Sequence, residues 1–217
     1  MDRCLLCSVA IPAAHPLCAA CRADCPFTEE ACTGCGRELP DPGICGACLK
    51  DPPRFDGVVV PLRYEYPVDR LLWEFKYHGR LAPARLFAEE LAQAVRKAGR
   101  PFPECVVPVP LHWRRLWQRG FNQSLEIARL ASKKLGVPVD WRLVRRRRAT
   151  AAQAGLAAKA RRRNVRGAFE ITGRPLPARV AVVDDVLTTG ATLGEVARVL
   201  RCAGVEEIQA WVACRAD

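Results

Sequence analysis

The chain has 217 residues, 50% of them hydrophobic and 26% charged, with a formal net charge of +11. That length allows one mid-sized domain of ~100–150 residues and a smaller module beside it, while the composition excludes a collagen-like repeat, wholesale disorder and any apolar run near the ~18 residues of a membrane span. The charge is unevenly placed, since residues 112–166 hold 16 Lys/Arg against 2 Asp/Glu, a net of +14 that leaves −3 elsewhere and predicts one basic surface.

The sequence opens Met-Asp-Arg and runs on as CLLCSVAIPAA. The run is short, opens with an acid and contains paired cysteines and Pro12, so it reads as mature sequence rather than a secretory signal. Of 12 cysteines in the chain, nine fall in the first 48 residues. Cys4 and Cys7, Cys18 and Cys21, Cys32 and Cys35, and Cys45 and Cys48 form four Cys-x-x-Cys hooks. One hook can place two thiolates on a tetrahedral metal, and two hooks close the shell. The pattern predicts two structural zinc ions in a double zinc ribbon, with folding that depends on the metal. An iron–sulfur cluster is the competing use of such thiolates. The spacing leaves open which hooks share an ion. Cys25 is the odd thiol and His15 a conceivable substitute ligand; both read as ordinary packing or surface positions. Free thiols available to metal imply a reducing, cytoplasmic compartment.

Asp51-Pro52-Pro53 acts as a stiff hinge, because proline fixes φ and restrains its neighbour. We therefore expect a ribbon module over residues 1–50 and a second domain over 51–217. Val58 to Tyr64 reads as a strand. Val68, Leu71, Leu72 and Phe75, and then Phe87, Leu91, Ala94 and Ala98, follow helical spacing. Cys105 to Val107 is a short buried strand ending at Pro108-Val109-Pro110. Arg114, Arg115 and Arg119 follow, interleaved with Trp113 and Trp117. Arginine suits bidentate contacts to phosphate, and aromatics among arginines suit single-stranded nucleic acid; equally, the two tryptophans, four apart, could be a packed helical pair. Ile127 to Leu135 marks another helix, stopped by Gly136 and Pro138. The run Arg145 to Arg148 has the composition of a solvated face. Thr150, Gln153, Leu156 and Arg161 to Asn164 continue the basic stretch, and Phe169 to Ile171 reads as a short strand. Neither His78 nor His112 has a partner signal, so no catalytic base is nominated.

The final segment is the most informative. Val180 to Val183 is an apolar run of strand length that meets Asp184-Asp185 and then the turn Thr188-Thr189-Gly190. A helix follows, with Leu193, Val196, Ala197 and Leu200 on one face, and Ile208 to Cys214 is a last strand. Strands alternating with helices predict a mostly parallel α/β sheet. A buried strand that hands over to a helix N-terminus presents free N–H groups and partial positive charge, which suit a phosphate. Thr188, Thr189 and Thr192 add hydroxyls, and Gly190, just before Ala191, lets the backbone come close. The paired acids suit ribose hydroxyls, and they can help hold Mg²⁺.

The segment VAVVDDVLTTGATL resembles the phosphoribosyl-pyrophosphate (PRPP) motif of type I phosphoribosyltransferases. The resemblance implies that Asp184 and Asp185 hold the ribose and Thr188 to Thr192 the 5′-phosphate. It departs at one point: purine-salvage members carry an acid that serves as general base where this chain has Thr188. Taken in order, the double Cys ribbon, FKYHGR, VPVPLHWRRLWQRGFNQS, RRRRATAAQAGL with RRRNVRGAF, and VVDDVLTTGATL resemble the ComF/GntX family over nearly the whole chain. That resemblance implies a type I phosphoribosyltransferase-like parallel sheet flanked by helices. It also implies a PRPP site with Mg²⁺; pyrophosphate or nucleic acid is expected near Lys76, Val109, Pro110, Arg114, Arg115 and Arg119. For the ComF members it implies an association with DNA uptake in natural transformation; GntX-like members have a loose link to gluconate metabolism. Three functions follow as expectations. One is a phosphoribosyltransferase whose acceptor the sequence does not name. Another is a single-stranded DNA-binding factor that reuses the phosphate pocket and basic strip. The third is an adaptor whose ribbons dock a partner that the sequence does not name; single-stranded DNA and DNA-uptake proteins are the partners expected for the chain as a whole.

Overall fold

A computed structural model describes residues 2–12, 15–149, 158–173 and 175–216. The cysteine-rich segment contains a small antiparallel pair, β1 (Asp2–Arg3) with β2 (Ala10–Ile11), and two one-turn helices, α1 (Ala19–Ala23) and α2 (Gly46–Lys50). There follow β3 (Gly57–Val59), β4 (Leu62–Arg63), α3 (Val68–Tyr77), α4 (Ala82–Lys97), β5 (Cys105–Pro108), α5 (Trp113–Arg119) and α6 (Gln123–Leu135). The chain closes with β6 (Val144–Arg146), α7 (Ala158–Val165), β7 (Phe169–Ile171), β8 (Arg179–Leu187), α8 (Ala191–Cys202) and β9 (Glu207–Arg215).

The main sheet runs β3-β9-β8-β5, with β4 also on β9, and every pairing in it is parallel. Both faces of a parallel sheet must be covered, and alternate residues of the central strands divide between two cores. Ala181, Val183, Trp211 and Ala213 face the layer of α3, α4 and α6. Val180, Val182, Ala210 and Val212 face α8, whose Leu193, Val196, Ala197 and Leu200 form the stripe expected from spacing. The expected α/β architecture is therefore observed, as a fully parallel sheet.

Three local expectations change. Val58 to Tyr64 is not one strand: Pro61, which lacks an N–H, falls between β3 and β4. β8 does not end with its apolar run but continues through both acids to Leu187, because Asp184 pairs with Val212 and Leu187 with Arg215 on β9. Trp113 and Trp117 lie on one helix but are not packed; they are 65% and 86% exposed. Among the described residues, no helix is long and apolar enough to cross a membrane.

The cysteine-rich segment is attached on the helical layer, at the sheet edge and through an antiparallel bridge of Phe27 with Leu62. On the helical layer, Glu90 of α4 is buried and receives Arg22 in a bidentate pair at 2.7 and 2.8 Å. His15 Nδ1 accepts from the Leu17 N–H, which leaves Nε2–H to donate to Glu90 at 3.0 Å. Cys4, Leu17 and Cys25 join the same core as Phe87 and Leu91. At the sheet edge, Val58 N–H donates to Thr33 O at 3.1 Å. Gly36 sits there with φ +71, and a Cβ on it would come within 2.5 Å of Val60, so only glycine fits.

Removing Glu90 would take its acceptor from His15 Nε2–H and leave Arg22 only the longer bond to Gln93 at 3.3 Å. Glu90→Ala is expected to cost about 2–3 kcal/mol in urea unfolding, less than a fully buried pair because Arg22 is partly solvated. Metal content should be unchanged.

Candidate functional site

The eight hook cysteines form two groups, Cys4, Cys7, Cys18 and Cys21, and Cys32, Cys35, Cys45 and Cys48. Within each group the sulfurs all lie within 4.8 Å of one another. The hooks thus pair in sequence order. Zinc–sulfur bonds of about 2.3 Å at tetrahedral angles place sulfurs about 3.8 Å apart; the Cys7–Cys18 and Cys35–Cys45 separations are both 3.7 Å. Backbone N–H groups point at the sulfurs, with Cys21 N to Cys18 Sγ at 3.4 Å and Cys45 N to Cys32 Sγ at 3.2 Å. Burial opposes ionisation of Cys4 and Cys32, but such N–H groups outweigh it and bring each thiol down to about 6. The geometry and the donor set fit two zinc ribbons. Cys25 lies outside the cluster, its thiol donating to Cys21 O at 3.5 Å, and His15 is engaged with Glu90.

At the carboxyl end of β8, the ladder with β9 carries Asp184 and Asp185 to the sheet edge. Successive strand residues point to opposite faces, so the two acids meet different neighbours. Asp184 accepts from Ser124 Oγ at 3.0 Å and from the Asp185 N–H at 3.0 Å. Its burial, reinforced by the neighbouring Asp185 charge, lifts its carboxyl to about 7. Asp185 is paired with Lys76 Nζ at 2.9 Å. Burial alone would lower the Lys76 ammonium, yet the Asp185 carboxylate holds it above its ordinary value. Beneath them, the Cys214 thiol is fully buried and donates to Asp185 O at 3.5 Å; burial pushes it far above the thiol range.

The turn that follows is built to leave backbone donors exposed. Gly190 is the N-cap of α8 in the left-handed region, at φ +70, and brings no side-chain acceptor to the first turn. Thr189 Oγ1 is buried with no hydrogen-bond partner among the described residues. A small recess runs from Asp184 past Thr188, Gly190 and Ala191 to Thr192.

The segment after β5 folds back over this edge. Val109 N–H donates to Val183 O at 2.8 Å, and Asn122 Nδ2 donates to Val109 O at 3.0 Å, so Val109, Pro110 and α5 form an excursion closed at its base. His112 caps α5 by accepting from Arg114 N at 3.3 Å. Arg119 lies over the Tyr77 ring at 5.3 Å and bonds Gln123 at 3.1 Å, and Arg114 lies 5.3 Å over Trp113. Burial and the Arg119 cation lower the Arg115 guanidinium. Burial and the Arg115 cation lower Arg146 of β6 to about 10, with Asp184 acting the other way.

The structure thus joins Lys76, 109 residues away in sequence, directly to Asp185. It sets Arg115 near the pair through Arg146, while Arg114 and Arg119 contact aromatics. Sequence reasoning missed Ser124 and Arg146. Ser124 had a signal, since it lies two residues after the asparagine cap of α6 and gives its N–H to that cap. Arg146 had none beyond its place in a four-arginine run, where Arg145 and Arg147 pair with Glu170. Thr150, Gln153 and Leu156 lie outside the described residues.

Comparison with known proteins agrees with this layout. A double zinc ribbon domain family matches residues 2–49, and a phosphoribosyl transferase domain family matches residues 122–217. Competence protein F of Haemophilus influenzae is 41% identical over 193 residues, spanning 85% of this chain and 84% of its own. DNA utilization protein YhgH of Escherichia coli K12 is 34% identical over 218 residues, spanning 98% and 96%. A solved purine phosphoribosyltransferase from Pyrococcus horikoshii Ot3 is 20% identical, spans 70% of this chain and 74% of its own, and gives a TM-score of 0.33.

Elemental analysis should find two zinc ions per chain, and Cys45→Ser should leave one. The raised Asp184 carboxyl has a stability signature. Below pH ~4 the group is neutral in folded and unfolded chains alike, so it has no linked effect. Between pH ~4 and its folded value of about 7, only the unfolded chain ionises, and stability falls as pH rises. Asp184→Asn should therefore raise the melting midpoint by a few degrees at pH 8 and hardly at all at pH 4.

Proposed function

Because the chain belongs to the family of competence protein F and DNA utilization protein YhgH, we propose that it binds Mg²⁺-PRPP at the carboxyl edge of β8 and takes part in DNA uptake. The observation that carries this reading is the juxtaposition of an uncapped helix N-terminus and a buried, partnerless Thr189 hydroxyl with two acids and a lysine one strand-end away. A phosphomonoester satisfies the first pair, and a sugar diol with its metal-bound pyrophosphate satisfies the second. Thr188 to Thr192 take the 5′-phosphate, and Asp184 and Asp185 take the ribose hydroxyls. Ser124 fixes the Asp184 carboxylate, and Lys76 pairs with Asp185 while its remaining N–H donors face a pyrophosphate oxygen.

Asp184 and Asp185 would help hold Mg²⁺, which would supply charge neutralisation to the leaving pyrophosphate. Positive charge that builds at the anomeric carbon as pyrophosphate departs would be stabilised by Asp184 and Asp185. With Thr188 in place of an acid, the turn supplies no general base, so an acceptor must be intrinsically nucleophilic. Two structural zinc ions hold the ribbon module of residues 1–50 beside a catalytic-type domain of residues 51–217. A cytoplasmic location suits the reduced thiols.

A second reading has its own support. Trp73, Trp113 and Trp117 are 52%, 65% and 86% exposed, and Arg114 and Arg119 accompany them. Such a surface suits stacking by unpaired bases, so a single-stranded DNA-binding role that retains the phosphate pocket is favoured over a ribbon-only adaptor.

Titration calorimetry with Mg²⁺-PRPP tests the main reading. Wild-type protein should bind, and Asp185→Ala should weaken binding at least about tenfold, a loss of ~1.4 kcal/mol or more. Equal binding by the two proteins would remove the site assignment.

A further inference from the structure

Beyond the small recess, Thr188, Gly190 and Ala191 also line a second and larger hollow. Its opposite wall is the second cysteine group, with Cys35, Arg37 and Cys48, continued by Pro52 to Phe55. α7 and the turn after it contribute Arg163 and Arg166. The cleft has a volume of about 1330 Å³, above the ~300–1,000 Å³ of pockets that enclose one small ligand.

Its lining is rich in cations. Six arginines face two acids, Asp51 and Glu195. Arg198 is committed to Glu195 at 2.8 Å, and Arg215 to Cys35 O at 2.6 Å. The other four, Arg37, Arg54, Arg163 and Arg166, are exposed and make no side-chain hydrogen bond or ion pair among the described residues. A four-thiolate zinc centre behind the wall would add about −2, but its charge is held inside the ribbon, whereas the guanidinium groups are exposed. These arginines come from three separate segments. A single compact pyrophosphate cannot engage that spread, but a ligand with repeated anionic groups can.

One end of the cleft is the turn assigned above to the 5′-phosphate of a ribose. The same chemical group terminates a 5′-phosphorylated nucleic acid. We propose that the cleft seats the 5′ end of a single nucleic-acid strand. The terminal phosphate lies in the Thr188–Thr192 turn, and the following phosphodiesters run past Arg37, Arg54, Arg163 and Arg166. This inference rests on the phosphate assignment made under the proposed function, and it adds the strand's end, its polarity and its path along the cleft.

The test uses the zinc-loaded full chain and a short 3′-labelled single-stranded oligothymidylate, read by fluorescence anisotropy. The 5′-phosphorylated form should bind about tenfold more tightly than the 5′-hydroxyl form. Excess ribose 5-phosphate should abolish that difference. The double variant Arg37→Ala/Arg54→Ala should weaken both oligonucleotides several-fold and flatten the salt dependence by about 0.7 log unit per arginine. Its calorimetric binding of ribose 5-phosphate should stay at the wild-type level. Equal affinity for the two oligonucleotides, with ribose 5-phosphate still bound, would overturn the strand-end assignment alone. An unaltered double variant would overturn the path along the cleft. Failure of wild-type protein to bind ribose 5-phosphate would remove the phosphate assignment and this inference with it.

Discussion

The parallel ladder between β8 and β9 determines where the acid pair and the turn after it lie. It runs from Arg179 opposite Glu207 to Leu187 opposite Arg215. The apolar run that drives its burial ends at Val183, yet the pairing persists four residues further. Those residues include both acids, held in extended backbone where they would otherwise lie in a mobile turn. The last pair also fixes Arg215, whose guanidinium reaches Cys35 O at 2.6 Å. One ladder therefore positions the acid pair, the start of the phosphate turn and the second cysteine group. Any change that shortened it would disturb all three.

Extending a strand through two adjacent carboxylates has an electrostatic cost. Two like charges at a buried edge cannot both be ionised without help. The chain divides the burden. Lys76 compensates Asp185 as a direct partner, and Asp184 carries the remaining strain in a carboxyl raised to about 7. Such an arrangement makes little sense as a stabilising device, because a buried pair seldom repays its desolvation. It makes sense as a preorganised site, where a bound polyol or cation supplies the missing compensation. The buried Thr189 hydroxyl without a partner points the same way, since buried polar atoms are otherwise nearly always satisfied.

Much of this was legible in the sequence because the signals are short-range. Cys-x-x-Cys spacing states its own geometry, and the apolar run before Asp184 followed by Thr-Thr-Gly states a strand, a turn and a helix N-terminus. What could not be read depends on contacts made across the fold. The pairing of hooks was undetermined because either pairing satisfies four-coordination, and only the three-dimensional path brings Cys4 beside Cys18 rather than Cys32. The length of β8 was underestimated because β-pairing with β9 overrode the usual avoidance of acids in strands. Lys76 could be nominated as a cation, but not as the partner of Asp185. The arginines at 145–148 look uniform in sequence, yet β6 sends Arg146 inward and its neighbours outward by simple alternation.

The two zinc ribbons are chemically alike but attached to different parts of the domain, and this difference gives them different roles. The first is fastened to α4 through Glu90, and its Cys4 and Leu17 complete the core beneath the helical layer. Its contribution is to the stability of the sheet's covered face. The second touches the main domain at Val58, Val60 and Arg215, all at or near the sheet edge, and forms a wall of the cleft that ends at Thr188 to Ala191. Metal loss there would loosen a wall of the cleft while leaving the helical core covered. A tandem of identical-looking modules thus separates into one that supports the fold and one that shapes the site, and the separation comes from docking position rather than from anything in the cysteine spacing.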